Sequence, residues 1–254
     1  MKHALVVTSF GTSVPEARGS IEAVEKTLEE AAGYTAVRAF TSPTIRRILA
    51  GRGERVANLS EALEALHGEG VDRVVVQPTH LLYGYEYDKL KAEAECLSGR
   101  FERMTVGKPL LAGSRDILRF AENLAKMHPR QEGAAVVYMG HGTEHFANAV
   151  YPALQTALNL MGRGDICIGT VEGWPGLEDI LRQLKAPCGV RLLPLMLVAG
   201  DHARNDMAVD WKEALERAGH TVQCEFTGLG ERTWVQEMYR ERLLEVLCAA
   251  ERGT

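Results

Sequence analysis

The segment "YMGHGTEHFAN", which starts at Tyr138, carries two histidines, His141 and His145, four residues apart. His141 has a glycine on each side. Glycine belongs where the backbone must turn tightly or where something approaches it closely. An imidazole in that setting suits a strand end with a ligand in front of it. Neutral imidazole binds divalent transition metals, and its titration near neutrality also suits it to proton transfer. His145 falls where the apolar stretch "FANAVYPALQTAL" begins, and it reads equally as a neighbour of the site or as a solvated surface residue. His202 in "AGDHARND" is a second candidate ligand, although Asp201 and Asn205 beside it also fit a helix start. Glu86 in "YGYEYDKL" and Glu172 in "GTVEGWPG" are the matching carboxylates. A glutamate favoured by a helix N-terminus is the competing reading for Glu86. His80 in "QPTHLL" reads equally as core packing.

These residues need elements to carry them. Short β-branched runs begin at Ala4, Thr35, Arg73, Arg103, Ala134, Asp165, Val190 and Thr221. Amphipathic stretches such as "SIEAVEKTLEEAA" and "DWKEALERAG" lie between them. This alternation predicts an α/β fold with parallel sheets, four strands before residue 130 and four after. The two sets are alike. "ALVVTSFGT" from Ala4 lies over "AVVYMGHGT" from Ala135, and "VRAFT" from Val37 over "IGTVE" from Ile168. "QPTHLLYGYE" from Gln77 lies over "LPLMLVAGDH" from Leu193, with Pro78 on Pro194 and Gly84 on Gly200. The first half carries extra helix between Thr41 and Val74. The expectation is two similar halves, 1–128 and 129–254, each a roughly four-stranded parallel sheet flanked by helices, with an active-site cleft between them.

Ligands of open parallel sheets bind beyond the carboxyl ends of the strands. The repeat places Phe10 on His141, Thr41 on Glu172 and Glu86 on His202. His141, His202, Glu86 and Glu172 then read as one imidazole and carboxylate metal site. Such donors suit Co²⁺, Fe²⁺, Ni²⁺ or Zn²⁺ and leave a position open for a substrate atom. Other chemistries fit worse. "GHGT" is not a serine-hydrolase elbow. No G-x-G-x-x-G follows a strand, and there is no P-loop lysine.

Composition bounds the function. The 254 residues carry a net charge of −5, with 46% apolar and 25% charged residues. That is an ordinary globular composition with nothing to attract nucleic acid or an anionic membrane. Five cysteines, an odd number with no C-x-x-C pair, predict buried thiols in a reducing compartment rather than a disulfide framework. "MKHALVVTSFGTS" has an apolar run only one strand long and no cleavage site, so neither a signal peptide nor a membrane span is expected. The expected location is the cytoplasm.

"LVVTSFGTS", "MGHGTEH" and "LPLMLVAGDHARNDM" together resemble the anaerobic-type sirohydrochlorin cobaltochelatases, class II chelatases related to ferrochelatase. The resemblance runs along essentially the whole chain in the same order. It implies two α/β halves and an ATP-independent insertion of Co²⁺ into sirohydrochlorin, an early step towards cobalamin. It implies His141, His202 and Glu86 as metal ligands, with Glu172 at a recurring position near the metal. "QPTH" departs from the more usual Gln-Ser-Leu-His but keeps His80.

On that basis His141 and Glu172 are the expected catalytic pair, His141 accepting a pyrrole proton and Glu172 passing it on. The ring carries eight carboxylates, which an acidic protein must meet locally. Ser9, Thr12, Ser13, Lys89, Arg204 and Asn205 are the expected donors, and Tyr83, Tyr85 and Tyr87 the expected walls. No cofactor beyond the substrate metal is expected. The expected partners are sirohydrochlorin and a divalent ion, with a homo-oligomer left open. Iron or nickel insertion, or a tetrapyrrole or metal carrier without catalysis, are the competing functions.

Overall fold

The computed structural model describes residues 2–184, 186–200 and 203–251. Eight strands form: β1 (His3–Ser9), β2 (Ala36–Phe40), β3 (Arg73–Pro78), β4 (Arg103–Val106), β5 (Ala134–Gly140), β6 (Ile166–Thr170), β7 (Gly189–Pro194) and β8 (Thr221–Cys224). Between and after them run α1 (Gly19–Ala32), α2 (Pro43–Gly51), α3 (Leu59–Gly68), α4 (Tyr85–Leu97), α5 (Ser114–Met127), α6 (Val150–Leu160), α7 (Leu177–Gln183), α8 (Lys212–Arg217) and α9 (Thr233–Glu251). A π-helical stretch, Ala203–Trp211, leads into α8.

Every expected strand is present. They form two four-stranded parallel sheets of the same topology, ordered β2-β1-β3-β4 and β6-β5-β7-β8. The central strands are buried on both faces, which explains why β1 and β5 are near-continuous apolar runs rather than alternating ones. The edge strands β4 and β8 are only partly buried. Local signals set the helix ends. Ser42 caps α2 ahead of Pro43, a reciprocal capping box between Asn58 and Glu61 starts α3, and Gly33 at φ +78° ends α1.

The registers correct the expected repeat by one residue. β1 pairs Leu5 with Ala36, and β5 pairs Val136 with Ile166. Ser42 N donates to Phe10 O, as Glu172 N donates to His141 O. The counterpart of Glu172 is therefore Ser42, not Thr41. The proline match holds: Pro78 and Pro194 take the same place in β3 and β7. The match of Glu86 with His202 falls on a residue outside the described ones. The extra helix of the first half is also present, since two helices separate β2 from β3 and one separates β6 from β7.

The contacts divide the chain into Met1–Leu110 with Gly230–Thr254, and Leu111–Leu229. The expected cut after residue 128 is not where they divide it. α5 follows β4 in sequence but packs on α6, within the second unit. α9 follows β8 but packs on α1, within the first. Tyr239 of α9 is fully buried there, and its hydroxyl donates to Thr79 O at 2.6 Å. No described helix is long and apolar enough to cross a membrane. Cys167 is buried, but Cys96 and Cys248 are exposed on α4 and α9, against the expectation of buried thiols throughout.

Candidate active site

In the second unit His141 directly follows β5, and Glu172 follows β6 by two residues. Both sit at the carboxyl ends of adjacent parallel strands. Glu172 N donates to His141 O at 2.7 Å, so the two backbones are joined. Glu172 Oε2 lies 3.6 Å from His141 Nδ1. Nδ1 also lies 3.1 Å from Gly142 O. A carbonyl can only accept, so in that bond Nδ1 carries the proton and the ring presents its lone pair at Nε2. Both side chains are open to solvent, at 42% and 60% exposure. A charged carboxylate beside an accessible imidazole can hold a cation and can steady an imidazolium once a proton has been taken.

The two glycines beside His141 have separate reasons. Gly142 has φ +82°, and a Cβ there would meet Gly173 N at 2.6 Å. A side chain would push apart the two loops that carry His141 and Glu172. Gly140 packs against the ring of Tyr151, where a Cβ has no room. In the first unit Gly11, at φ +97°, repeats the turn against Phe40, but Phe10 stands where His141 does.

Asn148 ties the same loops together. Its Oδ1 accepts from Thr143 N at 3.1 Å, and its Nδ2 donates to Trp174 O at 2.6 Å. A Cβ on Gly173 would collide with that amide. Thr170 N and Oγ1 both donate to Pro175 O, closing the second loop on itself. Sequence reading missed Asn148 and Thr170, because their function is to join segments distant in the chain. His145 caps the short 3₁₀ turn Phe146–Ala149, its Nδ1 accepting from Ala147 N at 3.0 Å. That ring nitrogen is therefore engaged in holding the loop.

The remaining candidates are placed as follows. Glu86 is the second residue of α4, in the first unit, and pairs with Lys89 at 2.8 Å. That hydrogen bond and the glutamate's charge raise the Lys89 pKa above its ordinary value. Ser9 is buried and bonded to Thr79 Oγ1 at 2.8 Å. Thr12 is buried, and its Oγ1 accepts from Val14 N. Ser13 is also buried, and its carbonyl accepts from Arg52. A 3₁₀ turn at Pro15–Ala17 follows them and leads into α1. Asn205 is exposed. His202 and the side chain of Arg204 lie outside the described residues. Tyr87 is buried, edge-on to Tyr83 and bonded to Gly107 O, which makes it a packing residue. Tyr85 is exposed. Both ring nitrogens of His80 are shielded from solvent and lack a hydrogen-bond partner. Burial lowers its pKa to about 4, with Glu86 pulling the other way. Among the described residues no three histidine, cysteine or acidic side chains already converge as a metal site.

Residues 3–248 match the family described as Cobalt chelatase (CbiK). The chain is 36% identical to a sirohydrochlorin cobaltochelatase of Salmonella typhimurium, covering 97% of both chains. It is also 36% identical to the sirohydrochlorin cobaltochelatase CbiKC of Nitratidesulfovibrio vulgaris, covering 98% of this chain and 92% of the relative. A solved structure of SirB from Bacillus subtilis with Fe³⁺ shares the fold, with a TM-score of 0.70 and 16% identity over 99% of this chain and 98% of SirB. Two like-ordered parallel sheets, a histidine and a glutamate at adjacent strand ends, and a match along nearly the full length agree: the chain belongs to the CbiK cobalt chelatase family.

Proposed function

We propose that this protein inserts Co²⁺ into sirohydrochlorin without ATP, giving cobalt-sirohydrochlorin on the route to cobalamin. The observation that carries the reading is the pairing of His141 with Glu172 at adjacent strand ends, in a chain whose family match runs from residue 3 to residue 248. Insertion replaces two pyrrole N–H protons with one divalent ion. The protein must hold the ion loosely, present it to one face of the ring and accept protons. His141 meets the first need through Nε2, and the second once the ring nitrogens have taken the metal. Glu172 then steadies the imidazolium and passes the proton outward to solvent, to which it is open.

His202 and Glu86 complete the proposed ligand set. Lys89 engages Glu86 through Oε1, which leaves Oε2 for a cation, and Lys89 beside it can meet a substrate carboxylate. Arg204 and Asn205 follow His202 in the chain and are proposed for the same duty. The hydroxyls of Ser9 and Thr12 are better explained by the internal bonds that they make, and Ser13 remains proposed as a donor to the substrate. The five cysteines pair with no one another, which suits a reducing compartment, and we place the protein in the cytoplasm.

The test is a visible-absorption time course with sirohydrochlorin and Co²⁺, run in parallel with Fe²⁺ and Ni²⁺. The expected result is acceleration over the protein-free rate, greatest with Co²⁺. An unchanged rate with tight ring binding would make the protein a carrier. A higher rate with Fe²⁺ would make it a ferrochelatase.

A further inference from the structure

Among the described residues five aromatic side chains are strongly exposed: Phe10, Tyr85, Phe146, Trp174 and Phe226. Each lies beyond the carboxyl end of a parallel strand. Phe10 follows β1, Tyr85 opens the helix after β3, Phe146 follows β5, Trp174 follows β6 and Phe226 follows β8. The other exposed large apolar side chains, Val171 apart, lie within helices or at their ends. An aromatic side chain has roughly 150–250 Å² to bury. Three of the five, Phe146, Trp174 and Phe226, follow strands of the second unit's sheet, and exposed apolar surface of that kind marks a place where something binds.

Phe146 and Trp174 are tied to the reacting pair. Phe146 is 89% exposed and Trp174 61%. Phe146 opens the turn that His145 caps, and that turn also contains Asn148. Trp174 stands two residues after Glu172, with its carbonyl held by Asn148. Asn148 also holds Thr143, two residues after His141. One side chain thus fixes the backbone on which both aromatics stand relative to His141 and Glu172.

We propose that Phe146 and Trp174 are the surface on which one face of the tetrapyrrole rests while His141 faces the ring nitrogens. This rests on the chelatase reading and names what the apolar part of that site does. A hydrated divalent ion gains little from an indole or a phenyl ring. A tetrapyrrole presents a flat conjugated face with its carboxylates around the rim, and offset stacking on an aromatic ring suits that face. Metal and ring are then recognised by different side chains: imidazole and carboxylate for the ion, Phe146 and Trp174 for the macrocycle.

The experiment measures both recognitions separately in Phe146→Ala, Trp174→Ala, the double variant and Trp174→Phe. Metal-free sirohydrochlorin is titrated by its visible absorption, Co²⁺ by calorimetry, and insertion is followed as a time course. Each alanine is expected to weaken ring binding about tenfold and the double variant about a hundredfold, with KM rising more than kcat falls. Co²⁺ affinity should stay at the parental value, and Trp174→Phe should recover most of the ring affinity. A double variant within twofold of parental ring affinity overturns the proposal. So does a parallel loss of Co²⁺ affinity, which would make these residues props for His141. So does a parental dimer that both alanines dissolve, which would assign the surface to a second copy of the chain. If the parental protein neither binds the ring nor inserts cobalt, the chelatase reading itself fails, and that result appears before any variant is made.

Discussion

The proposed role of His141 depends on two acceptors beside its Nδ1. Gly142 O fixes the proton on Nδ1, and the Glu172 carboxylate at 3.6 Å stands ready for the charge that arrives later. His141→Ala should lower the insertion rate by about a hundredfold or more, the range of a lost acid–base group, while the melting temperature hardly moves. A folded variant with near-parental turnover would remove His141 from the chemistry. Glu172→Gln keeps the shape and loses the charge, and it should cost less. His80 gives a prediction about stability. The unfolded chain binds a proton on this ring below about pH 6.5, whereas the folded unit declines it until about pH 4. Stability is therefore fully present above that window and falls as the pH drops through it, by on the order of 3 kcal/mol. His80→Leu should flatten this loss in denaturant titrations between pH 7 and 4. An acid limb as steep as the parental one would show that other groups cause it.

The loops after β5 and β6 act as one element. They are joined by Glu172 N to His141 O, by the two bonds of Asn148, and by the close approach of Gly142 to Gly173. Gly142→Ala forces a Cβ into left-handed backbone and onto the Gly173 amide. It should cost about 1–3 kcal/mol and most of the activity. Thermal melts and the insertion assay on the same sample check this, and an unchanged melting temperature would mean that the turn relaxes freely. Asn148→Ala leaves Thr143 N and Trp174 O without their bonds. It should slow insertion although Asn148 performs no chemistry, and Asn148→Asp should recover only the bond to Thr143 N.

At the scale of the molecule the first unit is built from both ends of the chain. α9 supplies Val235, Met238, Tyr239 and Leu243, all buried, and Tyr239 reaches Thr79 O, next to His80 at the end of β3. Tyr239→Ala removes a large buried ring and a hydrogen bond, and should destabilise the protein by about 3–5 kcal/mol. A chain ending at Leu229 should fail to fold its first unit, seen as lost protection of the β1 and β3 amides in hydrogen exchange. Protected β1 amides in that truncation would show that α9 only decorates the unit.

The sequence alone determined the eight strands, their parallel pairing, the likeness of the two sheets and the placing of His141 and Glu172 at strand ends. These follow from local patterns: apolar runs of strand length, helical periodicity between them, and glycines beside a histidine. The register of β6 did not follow. All of Ile166–Thr170 is buried, so no alternation marks which residue pairs with Val136, and Glu172 moved onto Ser42 rather than Thr41. The boundary at 128 was wrong for a related reason, since α5 and α9 look the same in sequence whichever sheet they cover. Ser9 and Thr12 had the right residue types for an anion, but burial gave their hydroxyls internal partners. Only the tertiary structure decided these points, along with the joining of the His141 and Glu172 loops by Asn148. Each depends on which distant segment comes to lie alongside, and a one-dimensional pattern does not carry that.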